Sequence, residues 1–293
     1  MKRLLYVPSL VLLLICLAFA SGSCTDPPAE GTILFDSNRD GNWEIYRMAS
    51  DGTEQIRLTH HPGIDFSPTG SPDGALVAFS RRTSGVNQLY IMKSDGQDLR
   101  QFEVVGGQFV WSPDGTQLVF AAHIDGNAEI CVVHADGTGY RQLTDNGCGN
   151  FEPTWLPDGQ HIGWSSDMSG NADIYVMRSD GTDLAQITDD ASTEAYPNWS
   201  PDGSLIVFCS DRSGAWEIHV MDADGSTVRQ LTDTGQFNGA PRWSPDGTRI
   251  AFQSDRDGDN EIYVMNADGS DVQQLTDNRA EDAHPCWLPR SDP

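Results

Sequence analysis

A chain of 293 residues with 43 acidic against 18 basic side chains carries a formal net charge of −25. That balance excludes nucleic-acid backbones and anionic membrane surfaces as partners, since both require a basic face. At 38% hydrophobic and 9% aromatic residues the chain has the apolar material for a packed core, and 29 glycines with 16 prolines call for many turns.

The first segment has the form of a secretory signal. Lys2 and Arg3 precede an apolar run from Leu4 to Ala20, which closes on Ala18-Phe19-Ala20. Residues 1–20 are therefore read as a signal peptide, an uncleaved N-terminal anchor being the alternative. Residues 21–31 read as a Pro-rich polar tether. Within it Cys24 follows Ser21-Gly22-Ser23 and is a candidate for lipidation, although Ser21 stands where such sites usually carry leucine. Either processing route makes the protein exported, to the periplasm or outer cell envelope, with membrane contact only through an N-terminal lipid. An oxidising compartment allows disulfides among Cys131, Cys148, Cys209 and Cys286. Cys131 and Cys148, which fall in one unit of the repeat described next, are the candidate pair.

From Thr32 onward the chain repeats itself. Trp111, Trp155, Trp199, Trp243 and Trp287 recur every 44 residues, four of them in Trp-(Ser/Leu)-Pro-Asp-Gly. Asp-Gly pairs at 51, 95, 136, 180, 224 and 268 form a second ladder. Glu44-Ile45-Tyr46 and its counterparts up to Glu261-Ile262-Tyr263 form a third, and Leu58-Thr59 to Leu275-Thr276 a fourth, whose second member has drifted to Gln101-Phe102. Each unit reads as four short strands, a to d. Ser244-Pro245-Asp246-Gly247 supplies the turn between a and b, and Asn266-Ala267-Asp268-Gly269 the turn between c and d. Strand c is apolar on consecutive residues, as in Ile262-Tyr263-Val264-Met265, so both of its faces are buried. Antiparallel sheets stacked face to face around a ring satisfy that demand. The first unit begins at strand b (Thr32-Ile33-Leu34-Phe35), and Ala283 to Leu288 supply a strand a at the far end. The expectation is an all-β, six-bladed propeller over residues 32–288, in which N- and C-terminal strands share one blade, with 289–293 as a tail.

The Trp-Ser-Pro-Asp-Gly turns, Ser-Asp-Arg-x-Gly loops and Ile-Tyr-Val-Met strands resemble the propeller repeats of the TolB family. The resemblance covers Thr32 to Leu288. It implies a six-bladed propeller in the cell envelope that binds other proteins. TolB itself carries an α/β domain ahead of its propeller, whereas here about ten tether residues precede it. The same repeat also accompanies prolyl-oligopeptidase-like peptidases, but no hydrolase domain is read here.

No enzyme signature emerges from the residues. Gly-x-Ser-x-Gly and His-Glu-x-x-His are absent, and the Asp-Gly pairs are accounted for as hairpin turns. No cofactor is expected. Asp36, Asn38 and Asp40 match the start of a calcium loop, but Arg47 stands where the bidentate Glu should be. The variable b–c and d–a loops share one side of the ring, where binding is expected. Counting back from the Trp ladder places Asp65, Glu194, Asp282, Glu152, Tyr196 and His284 at the channel mouth as solvated groups, with Trp216 as a further, exposed aromatic anchor. The leading expectation is a monomeric, non-enzymatic module whose acidic mouth takes a basic envelope protein or peptide. The alternative is a metal-dependent, lyase-like propeller enzyme or a carbohydrate-binding protein using the central channel.

Overall fold

The structure is a computed structural model describing residues 31–289; the signal segment, Cys24 and residues 290–293 lie outside the described residues. Six four-stranded antiparallel sheets form the blades of a propeller, and no helix occurs among the described residues. Blade 1 runs from the inside outward as Asp282–Leu288, Thr32–Ser37, Glu44–Ala49 and Ile56–Arg57. The C-terminal strand pairs directly with the N-terminal one, Trp287 opposite Ile33 and Thr32 opposite Leu288. Closure by strands from both ends is thus as the sequence predicts, and it removes an exposed sheet edge at the inner rim.

The apolar strands form clusters that each bridge two blades. Ile33, Phe35, Tyr46 and Met48 of blade 1 pack with Ala251, Ile262 and Val264 of blade 6 and with Trp287. On its other face blade 1 sends Leu34 and Ile45 against Val77, Phe79 and Met92 of blade 2. The five ladder tryptophans are all buried. The Ser-Pro-Asp-Gly turns are held by their own side chains: Gly247 N–H donates to Ser244 O at 2.9 Å, and Asp246 Oδ1 accepts from Ser244 Oγ at 2.6 Å. Asp-Gly pairs are therefore turn residues, as expected.

Strand a is bulged in every blade. The residue at each bulge has a left-handed backbone: Ser67, Gln108, Glu152, Tyr196, Ala240 and His284 have φ between 48° and 56°. A bulge re-aims a side chain, and these six positions ring the central channel. Recurrence in every blade makes the bulge a property of the architecture rather than of one ligand.

Candidate functional site

The channel encloses a cavity of about 320 Å³ lined by Ser67, Gln108, Glu152, Tyr196, Arg242 and His284, among others. Backbone N–H groups at the bulges tie neighbouring blades together. Glu152 N–H donates to Gln108 Oε1 at 3.3 Å, and Tyr196 N–H to Glu152 Oε2 at 3.4 Å. His284 N–H donates to Gln253 Oε1 at 2.8 Å, while its ring Nδ1 lies 3.0 Å from the buried Asp36 carboxylate. Burial alone would push the His284 pKa down, but the Asp36 charge holds it above the ordinary imidazole range. Burial acts in the opposite direction on the Glu152 carboxyl and raises its pKa. Glu152, Tyr196 and His284 thus share one channel, as their spacing suggests. Arg242 was missed. It precedes a ladder tryptophan, and among the residues there (Val110, Thr154, Asn198, Arg242, Cys286) it alone is charged.

The expected solvated carboxylates are a correction. Glu194 and Asp282 are the first residues of strand a in their blades, Asp65 the second in its own, and all three are fully buried. Arg81 holds Asp65 with two bonds, at 2.6 and 2.7 Å. Arg39 reaches Asp282 at 2.6 Å and Arg212 reaches Glu194 at 3.0 Å. Each guanidinium also lies over ring faces of its own blade, Arg81 4.5 Å from the Tyr90 centroid and Arg39 4.9 Å from that of Tyr46. A buried carboxylate needs such a partner. These acids therefore fasten loops to blades instead of facing a ligand.

The amide-bearing blades use the same clasp. Arg256 donates to Asn238 Oδ1 at 2.8 Å. Blade 4 has Met168 where the others have arginine, and there the Trp164 indole N–H donates to Asn150 Oδ1 at 3.0 Å. On the far side of each clasp stands an acidic residue at the start of the preceding blade's strand c, the first residue of the strand except for Glu129, which is the third. Glu129, Glu217 and Glu261 bind the threonines of the Leu-Thr ladder, for example Thr232 Oγ1 to Glu217 Oε2 at 2.6 Å. The Asn Nδ2 groups complete the link, donating to Glu129 at 3.1 Å and to Glu217 at 2.9 Å.

Trp216 is also corrected. It is half-buried and packs on the Val207–Val220–Trp243 cluster rather than standing free. The four described cysteines are free. The Cys131–Cys148 pair does not form because Cys131 points into the core between blades 2 and 3, its sulfur 3.2 Å from Tyr140 Oη. Asp36, Asn38 and Asp40 go to different partners: Asp36 to His284, Asn38 Oδ1 to Glu281 N–H, and Asp40 to Tyr46 and Arg57. Among the described residues no group of three or more His, Cys, Asp or Glu is placed to hold a metal.

The clasps are missing at one place. Blade 2 offers Gln88, and blade 3 begins on Gly106-Gly107. The connection between these blades shrinks to Gly106, where the others span 58–63, 143–149, 187–193, 231–237 and 275–281. Their b–c hairpins are tight as well. Ser84-Gly85 and Asp125-Gly126 have positive φ at both positions, the combination that two-residue hairpins favour. The result is an open groove of about 470 Å³ beside the channel mouth, lined by Phe66, Val86, Val105, Ala122 and His123 and reaching His284. Val86 and Val105 are 43% and 53% exposed.

The sequence family known as the TolB beta propeller domain matches residues 102–236 and 233–292. The chain belongs to that family. A TolB homologue from Chlorobaculum tepidum is 44% identical over 59 residues, which is 20% of this chain and 14% of the relative's length. The chain thus matches about a seventh of that relative. TolB from Acinetobacter baumannii superposes with a TM-score of 0.78 at 22% identity, covering 89% of this chain and 67% of its own. An oligogalacturonate lyase in complex with manganese superposes less closely, with a TM-score of 0.59 at 19% identity over 83% of this chain and 73% of its own. At these identities the structural likeness is one of fold.

Proposed function

We propose that this TolB-like propeller is a non-enzymatic docking module for an extended, basic segment of another envelope protein, taken at the groove over blades 2 and 3. The observation that supports it most is the contrast on the loop face: arginine clasps, or Trp164 in blade 4, close the other junctions, and Gly106-Gly107 leaves this one open beside the channel. The apolar walls of the groove suit alternate side chains of an extended peptide. The net charge of −25 favours a basic one. Glu152, Tyr196 and His284 lie at the inner end of the path and would receive the segment's tip. The protein works exported and as a monomer, after removal of residues 1–20 or on a lipid at Cys24.

Gly107 offers a clean test. A Cβ built there finds its nearest neighbours at 3.7 and 3.8 Å, and the backbone is not left-handed, so a larger side chain fits without disturbing the blade. Gly107→Phe should fill the groove and reduce binding of short fluorescein-labelled Lys/Val peptides at least tenfold while the melting temperature holds. Unchanged binding would defeat the reading. The lyase-like alternative draws on the fold likeness to the manganese-bound lyase. It takes the lead if the purified protein retains stoichiometric manganese that Glu152→Gln and His284→Asn release.

A further inference from the structure

Two of the inter-blade junctions are short of a hydrogen. Where the strand a residue is an amide, at Asn150 and Asn238, its N–H donates to the facing glutamate. At the junction that closes the ring the same place is taken by Asp282, which faces Glu261; both are fully buried and within hydrogen-bonding reach of each other. Asn278 Nδ2 donates to Asp282 Oδ2 at 2.7 Å and lies 3.5 Å from Glu261 Oε2. Asp282 Oδ1 is left with no partner. Between blades 4 and 5 the corresponding residues are Asp173 and Glu194, and Glu194 Oε2 is likewise buried without a partner. These are the two unpartnered buried carboxyl oxygens among the described residues.

Arginine count separates these junctions from the remaining acidic one. Glu44 and Asp65 have an arginine each, Arg57 at 2.8 Å and Arg81 at 2.6 Å. At the Glu261–Asp282 junction the arginine is Arg39, which contacts Asp282. At the Asp173–Glu194 junction the arginine is Arg212, which holds Glu194 at 3.0 Å and is also contacted by Asp190 at 2.9 Å. The other charges nearby add to the deficit: Asp257, Asp259, Asp277 and Glu281 cluster beside Asp282. Near Glu194 the further titratable group is His219, which burial holds below its ordinary range, so it supplies no compensating cation near neutrality.

We propose that the Glu261–Asp282 pair and, at the blade 4–5 junction, Glu194 each hold one proton in the folded ring, the O–H of the first doing what the Asn150 and Asn238 N–H groups do elsewhere and that of the second sitting on the otherwise unpartnered Oε2. The ring is then fastened by protonation at its closing blade and at the blade 4–5 junction. Burial raises the pKa of Glu194, to about 7, and burial with the neighbouring Asp282 raises that of Glu261. A carboxyl whose folded pKa lies above its unfolded one keeps its proton longer in the native state. Its contribution to stability is complete at low pH and is lost as pH rises through the folded pKa, near and above neutrality.

Asp282→Asn copies the Arg256–Asn238–Glu217 arrangement found one blade away, and Glu194→Gln does the same for blade 5. Urea unfolding of wild type, both single variants and the double variant, between about pH 5.5 and pH 8.5, reads the proton count. Each site contributes up to about a tenfold rise in the unfolding constant per pH unit. The slope should flatten stepwise from wild type to double variant, the remaining histidines cancelling in the difference. Parallel slopes would overturn the proposal. Carboxyl ¹³C NMR of the wild type gives an answer independent of the variants' folding. Two carboxyl resonances should titrate near or above neutrality; if all titrate below about pH 5, in the ordinary carboxylate range, the junctions hold no protons.

Discussion

Blades 2 and 3 and the other four blades are built on one repeat but treat the loop face in opposite ways. Blades 1, 4, 5 and 6 carry b–c loops over residues 38–43, 167–172, 211–216 and 255–260. The side chains that begin these loops, or Trp164 in their stead, fasten down the first residue of strand a. Blade 2 keeps its clasp toward blade 1, Arg81 on Asp65, but blades 2 and 3 have two-residue hairpins and a glycine junction between them, so there the same face opens into a groove. The hydrophobic wedge between blades is common to both halves. What differs is a polar layer above it. A ring can therefore keep its packing while one sector of its rim is left free for a partner.

The comparison is broken most severely by removing a clasp. Arg81→Ala strands the Asp65 carboxylate, which is wholly buried beside Glu44. It should cost about 3–5 kcal/mol in urea unfolding, the range for orphaning a buried charge; a loss under about 1 kcal/mol would mean that the site is solvated after all. A smaller effect tests the exchange of Trp164 for arginine. Trp164→Phe removes one of three donors to Asn150 Oδ1, the others being Ser166 Oγ at 2.9 Å and Asn146 Nδ2 at 3.3 Å. A loss of about 1–2 kcal/mol is expected. Adding Met168→Arg should recover part of it, since Arg256 serves Asn238 from the equivalent position. No recovery would separate blade 4 from the others. The smallest effect belongs to the open sector: Gly107→Phe should change stability by no more than about 0.5 kcal/mol. Gly106 next to it is the contrary case, since a Cβ there would sit 2.4 Å from the Phe120 ring.

The blades, their turns and the shared closing blade were legible because each is a local pattern repeated at constant spacing. The carboxylates at Asp65, Glu194 and Asp282 were legible as a ladder but not as buried, because their partners lie on another strand or loop. A signal was present in the repeat itself. Wherever that position holds an acid, an arginine follows in strand b or its loop (Arg81, Arg212, Arg39), and where it holds glycine none is needed. Arg242 escaped because only the positions five and three residues before the Trp ladder were counted, whereas the residue directly before the ladder also lines the channel. The Cys131–Cys148 pairing failed for a related reason: closeness along the chain fixes neither side-chain direction, and Cys131 faces blade 2.

Backbone amide shifts of the intact protein, followed as a basic Lys/Val peptide is added, test the open sector most directly. Perturbations should concentrate at residues 84–87, 105–108 and 121–128, reach His284, and spare the clasped loops 211–216 and 255–260. Shifts confined to those clasped loops, or to the Ser-Pro-Asp-Gly turns on the opposite face, would contradict the account.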